Sequence, residues 1–455
     1  MVLPPKMQKM MYKSTNRSAP LATFKEVLLR GQAPDYGLYM PVTISKFNQE
    51  DINSFKNKEY FEIASEIAKR FVDEIKGLKK IAKDAYNFKV PIEKLDENLY
   101  MMRLDQGPTA SFKDFAARLM ARLMHYFSEK DNKKLTVLVA TSGDTGGAVA
   151  DAFYGLEDIN VIVLFPEKEV TGRQRKQMTT LGKNVKAIAV KGKFDDCQAL
   201  VKRAFNDPDL HGINLTSANS INFGRLIPQI VYYVYAYSRL NQDKIIFSVP
   251  SGNFGDLMGG VLAKEMGLPV EKFIVAVNEN DEFPNFLKTG EYNPVVPSKE
   301  CSSNAMNVGH PSNLARLIDL YGGWLTDERD EQGRVTAKGI LKQKPDMERL
   351  RKDFVSFSIT DKEVDETIKE IYHKYKIIVE PHGAVALAAA KISNLKGLII
   401  CLETADPAKF PEKIKELLNF DAVVPKSLAN LDSKKEAFET VDNDYDKLKK
   451  HFRIN

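Results

Sequence analysis

Two stretches of the chain, TVLVATSGDTGGAVADAF from Thr136 and IIFSVPSGNFGDLMGGVL from Ile245, carry the same device: a short apolar run, then Ser-Gly-(Asp or Asn)-x-Gly, then a helical segment of small residues. At a strand-to-helix turn the first amides of the helix lack partners and the helix dipole adds partial positive charge, so an anion is stabilised there. Glycine lets the backbone approach a ligand closely, and Ser, Thr or Asn adds a side-chain donor. Either turn alone is as readily a plain connector as a binding loop. Two in one chain imply two anionic groups to be held.

Neither turn has the spacing GxxxxGK(S/T), GxGxxG or GxSxG, which disfavours a nucleotide P-loop, a dinucleotide fingerprint and a serine nucleophile elbow. What remains is a pair of ligands such as a phosphate-bearing cofactor and a carboxylate-bearing substrate. That points to pyridoxal phosphate, whose chemistry requires a lysine. Lys113, in GPTASFKDFAARLMARLM, stands between Phe112 and Phe115 at the start of an apolar-faced helix, where desolvation would favour its neutral amine. Taken alone, a lysine at a helix start is more often solvated.

The elements that must position these residues follow from periodicity. From about residue 95 to 280, β-rich apolar runs alternate with helical segments, the rhythm of parallel sheets covered by helices. The spacing predicts a mainly helical N-terminal unit over residues 1–90, and after the alternating region a third one that runs through a loop-rich stretch from 281 to 313 to a final strand in LKGLIICLETADP. The charged stretch Asp327 to Lys352 reads as an exposed insertion or solvated helix, and GRQRK from Gly172 as a solvated helix face. The chain has 455 residues, 43% apolar and 28% charged, with a formal net charge of only +5. That balance, with no basic stripe interleaved with aromatics, disfavours nucleic acid and suits small anions. Cys197, Cys301 and Cys401 form no CxxC pair and read as reduced, buried thiols, and the six histidines form no close ligand pair, so no metal is expected. No apolar run reaches the roughly 20 residues of a membrane span. The first 25 residues hold five Lys/Arg and no acid, and read as a basic tail.

The segments GPTASFKDF (107–115), ATSGDTGGAVA (140–150), SANSINFGRL (217–226), VPSGNFGDLMGG (249–260), SNAMNVGHPSN (303–313), EPHGAVA (380–386) and TADPAKF (404–410) resemble threonine synthase. They occur in that family's order across nearly the whole chain, and YKSTN and APDYGLYMP near the N-terminus fit it too. The resemblance implies a tryptophan-synthase-β-like α/β fold, two open, mostly parallel sheet lobes with flanking helices and pyridoxal 5'-phosphate between them: a first lobe over 91–226 with the lysine and the substrate-carboxylate turn, and a second over 227–455 with the cofactor-phosphate turn and C-terminal helices, behind the mainly helical N-terminal domain over 1–90. The reaction it implies takes O-phospho-L-homoserine and water to L-threonine and phosphate by elimination and β-hydration. That substrate carries a carboxylate and a phosphate. By the same resemblance Lys113 holds the cofactor as a Schiff base and moves protons. Ser142, Gly143 and Thr145 hold the substrate carboxylate, with Asp144 beside the cofactor's 3-hydroxyl. Gly252, Asn253, Phe254, Gly255 and Asp256 form the cofactor-phosphate loop, Thr404 meets the pyridine nitrogen, and Ser220, Asn222 and Arg225 take the substrate phosphate. His382 is either a packed helix-start histidine or a cofactor neighbour. Glu403, Asp406, Gln106 and Ser111 depart from the family pattern, and a carboxylate near the ring would bear on product partition. A phospho-lyase or dehydratase releasing a 2-oxo acid and ammonia, or a catalytically silent binding relative, is the alternative. The resemblance is to a cytoplasmic enzyme, a monomer or homodimer.

Overall fold

Strands buried on both faces need continuous apolar runs, and every residue of Leu135–Ala140 and of Ile245–Pro250 is buried. The computed structural model describes residues 9–72, 75–210, 212–240, 242–330 and 333–452. One sheet orders its strands Glu439–Asp442, Val185–Lys191, Ile159–Pro166, Leu135–Ala140 and Leu215–Thr216, all parallel. The other runs Phe354–Ser358, Val270–Val277, Ile245–Pro250, Ile399–Glu403, Leu99–Arg103 and Ile92–Asp96, with only the last pair antiparallel. Helices cover both, as the strand-helix rhythm predicts.

The sheets cross the boundaries drawn from the sequence. Residues 92–103, assigned to the first lobe, pair in the second sheet, and Glu439–Asp442, assigned to the second lobe, closes the edge of the first. Parallel strands are joined by crossovers, so adjacency in sequence does not say which sheet a strand enters. The N-terminal unit holds, besides its helices, a three-stranded antiparallel sheet of Met11–Ser14, Ala22–Thr23 and Tyr39–Pro41. The basic stretch read as a tail is thus, from Met11, a paired strand; residues 1–8 lie outside the described residues.

The charged stretch after Gly323 is no solvated helix over most of its length. It forms the hairpin Trp324–Arg329 with Val335–Gln343, followed by the helix Met347–Asp353. His310 Nε2 donates to Asp327 at 3.0 Å and Tyr292 Oη bonds His310 Nδ1 at 2.7 Å, which pins the hairpin to the second lobe. The GRQRK helix is likewise not simply solvated: Arg173 pairs with Asp432 at 2.9 Å and Arg175 with Glu436 at 3.1 Å, clamping the C-terminal segment. All three cysteines are free thiols, Cys197 and Cys401 buried and Cys301 half-buried. Among the described residues no three His, Cys, Asp or Glu side chains gather as a metal site, and no helix is long and apolar enough to cross a membrane.

Candidate active site

Two neighbouring parallel strands of the second sheet, Leu99–Arg103 and Ile399–Glu403, deliver the lysine loop. Beyond their carboxyl ends the loops stay tied: Leu104 N donates to Glu403 O at 3.0 Å, Phe112 N to Thr404 O at 2.8 Å, and Asp406 N to Ala110 O at 3.0 Å. Asp114 then folds the loop on itself, accepting from Thr109 N at 2.8 Å and Thr109 Oγ1 at 2.5 Å. Gly107 is required by this closure, since a Cβ there would lie 2.4 Å from Asp114 Oδ2. The result places Lys113 as the first residue of the helix Lys113–Asp131, its ammonium 4.7 Å from the Phe112 ring centre. Burial lowers its pKa, Asp144 opposes that, and Lys409 and Arg225 reinforce it.

The two Ser-Gly turns follow Leu135–Ala140 and Ile245–Pro250, one at the carboxyl end of a central strand in each sheet, and face a single cavity of 270 Å³. Small residues let the following helices close on their neighbours: a Cβ on Gly146 would lie 2.3 Å from Met178 Sδ, and one on Gly259 2.7 Å from the Gln229 backbone. Lys113, Ser142, Asp144 and Thr145 line the cavity. Gly143 is not among its lining residues; its amide donates to Thr141 Oγ1 at 2.9 Å, and with φ +138° and Gln174 2.5 Å from any Cβ it shapes the turn. Gly252 through Asp256 all line the cavity. The amides of Gly252, Asn253 and Phe254 donate to no acceptor among the described residues. A Cβ on Gly252 would meet Ala305 O at 2.8 Å, so only glycine leaves the cradle open. Asp256 accepts from Tyr233 Oη at 2.8 Å through Oδ1, Oδ2 has no partner, and burial pushes its pKa up to about 7.

Ser220 and Arg225 line the cavity, and Arg225 is buried with no carboxylate partner among the described residues: one nitrogen donates to Ala218 O at 3.1 Å and Nε meets no acceptor among them. Burial presses its pKa down to about 10, which leaves it charged at neutral pH. Asn222 has no free group to offer. Its amide nitrogen donates to Leu28 O at 2.8 Å and Ser217 O at 3.0 Å, and its oxygen accepts from Gly224 N at 2.9 Å, capping the turn Phe223–Arg225. The neighbour that does line the cavity is Asn219, which sequence reasoning passed over. A second buried guanidinium, Arg316, holds this segment from behind, donating to Tyr39 O at 3.0 Å, Ser220 O at 3.0 Å and Ile221 O at 2.6 Å. Arg316→Ala should orphan those carbonyls in a buried hole and lower unfolding free energy in urea by about 3 kcal/mol; an unchanged unfolding midpoint would refute that role.

Thr404 lines the cavity and its hydroxyl donates to Glu380 Oε1 at 3.3 Å. His382 also lines it, yet both ring nitrogens are spent: Nε2 accepts from Ala305 N at 3.1 Å, so Nδ1 carries the hydrogen and gives it to Glu380. The unusual Glu403 is wholly buried behind this group, accepting from Glu380 N at 3.0 Å, and burial together with the Glu380 carboxylate raises its pKa well above the ordinary range. Asp406 caps the turn Pro407–Lys409 through Ala408 N at 2.8 Å, and Gln106 donates to Asp105 at 2.8 Å. Neither carboxyl is among the cavity's lining residues.

A lysine amine, three unpaired amides on a glycine turn and a cavity between two lobes suit pyridoxal phosphate. Residues 87–401 match the family described as pyridoxal-phosphate dependent enzyme, residues 11–86 the threonine synthase N terminus, and residues 383–452 the threonine synthase C-terminal region. The chain is 37% identical to the threonine synthase of Haemophilus influenzae over 441 residues, 94% of this chain and 96% of that protein. It superposes on the crystal structure of PLP-bound threonine synthase from Brucella melitensis with a TM-score of 0.89 at 33% identity, covering 98% and 99% of the two chains. With the yeast enzyme's structure the TM-score is 0.88 at 31% identity, covering 97% and 98%. The family models together span residues 11–452 and the relatives match in sequence and fold over nearly the whole chain, which therefore belongs to the threonine synthase family of pyridoxal-phosphate-dependent lyases.

Proposed function

We propose that the chain converts O-phospho-L-homoserine and water into L-threonine and phosphate. The observation that carries this reading is the convergence of two anion-binding turns and an unpaired buried arginine on one lysine-bearing cavity. Pyridoxal phosphate, when bound, supplies an electron sink that acidifies the protons of the substrate's carbon chain. The chain supplies the rest. Gly252, Asn253, Phe254 and Gly255 would seat the cofactor phosphate through main-chain donors, and burial, by raising the Asp256 pKa to about 7, lessens the repulsion from that carboxyl. Ser142 and Thr145 take the substrate carboxylate, with Gly143 setting their turn. Thr404 would meet the pyridine nitrogen and Asp144 the 3-hydroxyl. Lys113, buried beside them, carries the cofactor and then holds and returns the protons that leave and rejoin the carbon chain.

For the substrate phosphate, Ser220 and Arg225 remain, with Asn219 in place of Asn222. Arg225→Ala should lower kcat/KM for O-phosphohomoserine by about 2 to 4 kcal/mol, because it removes the charge that meets the leaving phosphate in a buried site. Unchanged kinetics would move the phosphate elsewhere. The reading as a whole is tested by supplying O-phosphohomoserine to purified enzyme: threonine in equal amount to the phosphate released supports it, whereas 2-oxobutyrate and ammonia in place of threonine, again with one phosphate each, would assign the simple elimination reaction instead.

A further inference from the structure

The Asp144 carboxylate stands between the side-chain nitrogens of two lysines. Oδ1 meets Lys409 Nζ at 2.6 Å, and Oδ2 lies 3.9 Å from Lys113 Nζ. Lys409 is wholly buried and is not among the residues lining the cavity; it also donates to Thr109 O at 3.0 Å, at the base of the lysine loop. The fold goes to some length to keep it there. Thr171 Oγ1 donates to Lys409 O at 3.3 Å, Arg173 donates to Ala408 O, and Asp406 caps the turn that carries it. Gln174 Nε2 donates to the same Asp144 oxygen at 3.1 Å. A buried lysine is costly unless paired, and this one is paired only to a carboxylate that also faces Lys113.

We infer that Lys409 is a positioning residue for Lys113: by holding Asp144, it keeps the Lys113 amine free to attack the aldehyde of pyridoxal phosphate. The inference rests on Lys113 as the cofactor-bearing lysine. In that step the neutral amine's lone pair adds to the aldehyde carbon, a C–N double bond forms, and the two amine hydrogens leave with the aldehyde oxygen as water. An ammonium has no lone pair to give. The groups facing Lys113 are Asp144, Lys409, Arg225, Glu380 and Asp256, with both ring nitrogens of His382 hydrogen-bonded elsewhere. Burial, Lys409 and Arg225 favour the neutral amine, whereas Asp144 and Glu380 favour the ammonium. Take Lys409 away and Asp144, left in a buried site with the Gln174 amide but without its cation, turns to Lys113 for charge and holds it protonated. The effect then diminishes as pH rises through the amine's raised pKa.

The test is the rate at which the full-length apoprotein captures pyridoxal 5'-phosphate between pH 6 and 9, with borohydride reduction and peptide mass spectrometry to locate the label. Lys409→Gln should slow capture about tenfold at pH 7 and raise the midpoint of its pH dependence by about one unit. Lys409→Arg should stay near the parent. Adding Asp144→Asn to Lys409→Gln should bring the midpoint back, which mere damage to packing would not do. If Lys409→Gln fails to fold, Asp144→Asn alone decides, because its midpoint should fall below the parent's. With Lys113 labelled in the parent, an unshifted midpoint in Lys409→Gln, no restoration in the double variant, or no fall in Asp144→Asn would overturn the coupling. A parent labelled on another lysine would overturn the lysine assignment itself, and this inference with it.

Discussion

Lys113→Ala is expected to abolish reducible labelling by pyridoxal phosphate and to cut phosphate release from O-phosphohomoserine by at least about 10³-fold. The loss combines covalent attachment with proton transfer, each step drawing on the same amine. No neighbouring group can take over. Lys409 is locked to Asp144 and Thr109, and His382 has both nitrogens engaged. Cofactor should still bind noncovalently through the phosphate cradle, so the variant separates seating from chemistry. Retention of both labelling and turnover would remove Lys113 from the reaction.

The second large effect is expected at the cradle. Gly252→Asp should weaken pyridoxal phosphate binding by at least about 10²-fold, measured by equilibrium dialysis against the apoprotein. Its Cβ would stand 2.8 Å from Ala305 O and 3.0 Å from Met306 Cα, and both are backbone atoms that cannot swing aside. The new carboxylate would also face the phosphate in a site already sparing of charge, an unpaired like-charge contact. Gly252→Ala isolates the steric part and should cost less. Cofactor affinity within threefold of the parent in Gly252→Asp would put the phosphate seat elsewhere.

The parallel strands and the turns that follow them were legible because their signal is strong: continuous apolar runs ending in Ser-Gly turns can be seen in one sequence. The three-stranded N-terminal sheet was not, because Ala22–Thr23 and Tyr39–Pro41 are too short to show an alternation. The hairpin after Trp324 was hidden by its charges, which sit on the exposed side of a strand as comfortably as on a helix. Twelve of the fourteen candidate residues line the cavity. Gly143 and Asn222 do not, because a motif names a turn without saying which of its atoms the turn itself consumes. Asn222 precedes a helical turn, and an Asn in that position is a capping residue by preference. Lys409 carried a weaker sign: a lone lysine between Ala408 and Phe410, where apolar neighbours foretell burial.

The weaving of the two sheets governs when the enzyme can come to life during synthesis. Leu99–Arg103 leaves the ribosome early but lies between Ile92–Asp96 and Ile399–Glu403 in the finished sheet, and the rim of the other sheet is supplied by Glu439–Asp442. Such distant pairings are slow to form and leave strand edges bare in the meantime. The lysine loop is tied to Glu403 and Thr404, so it cannot close before those residues have been synthesised.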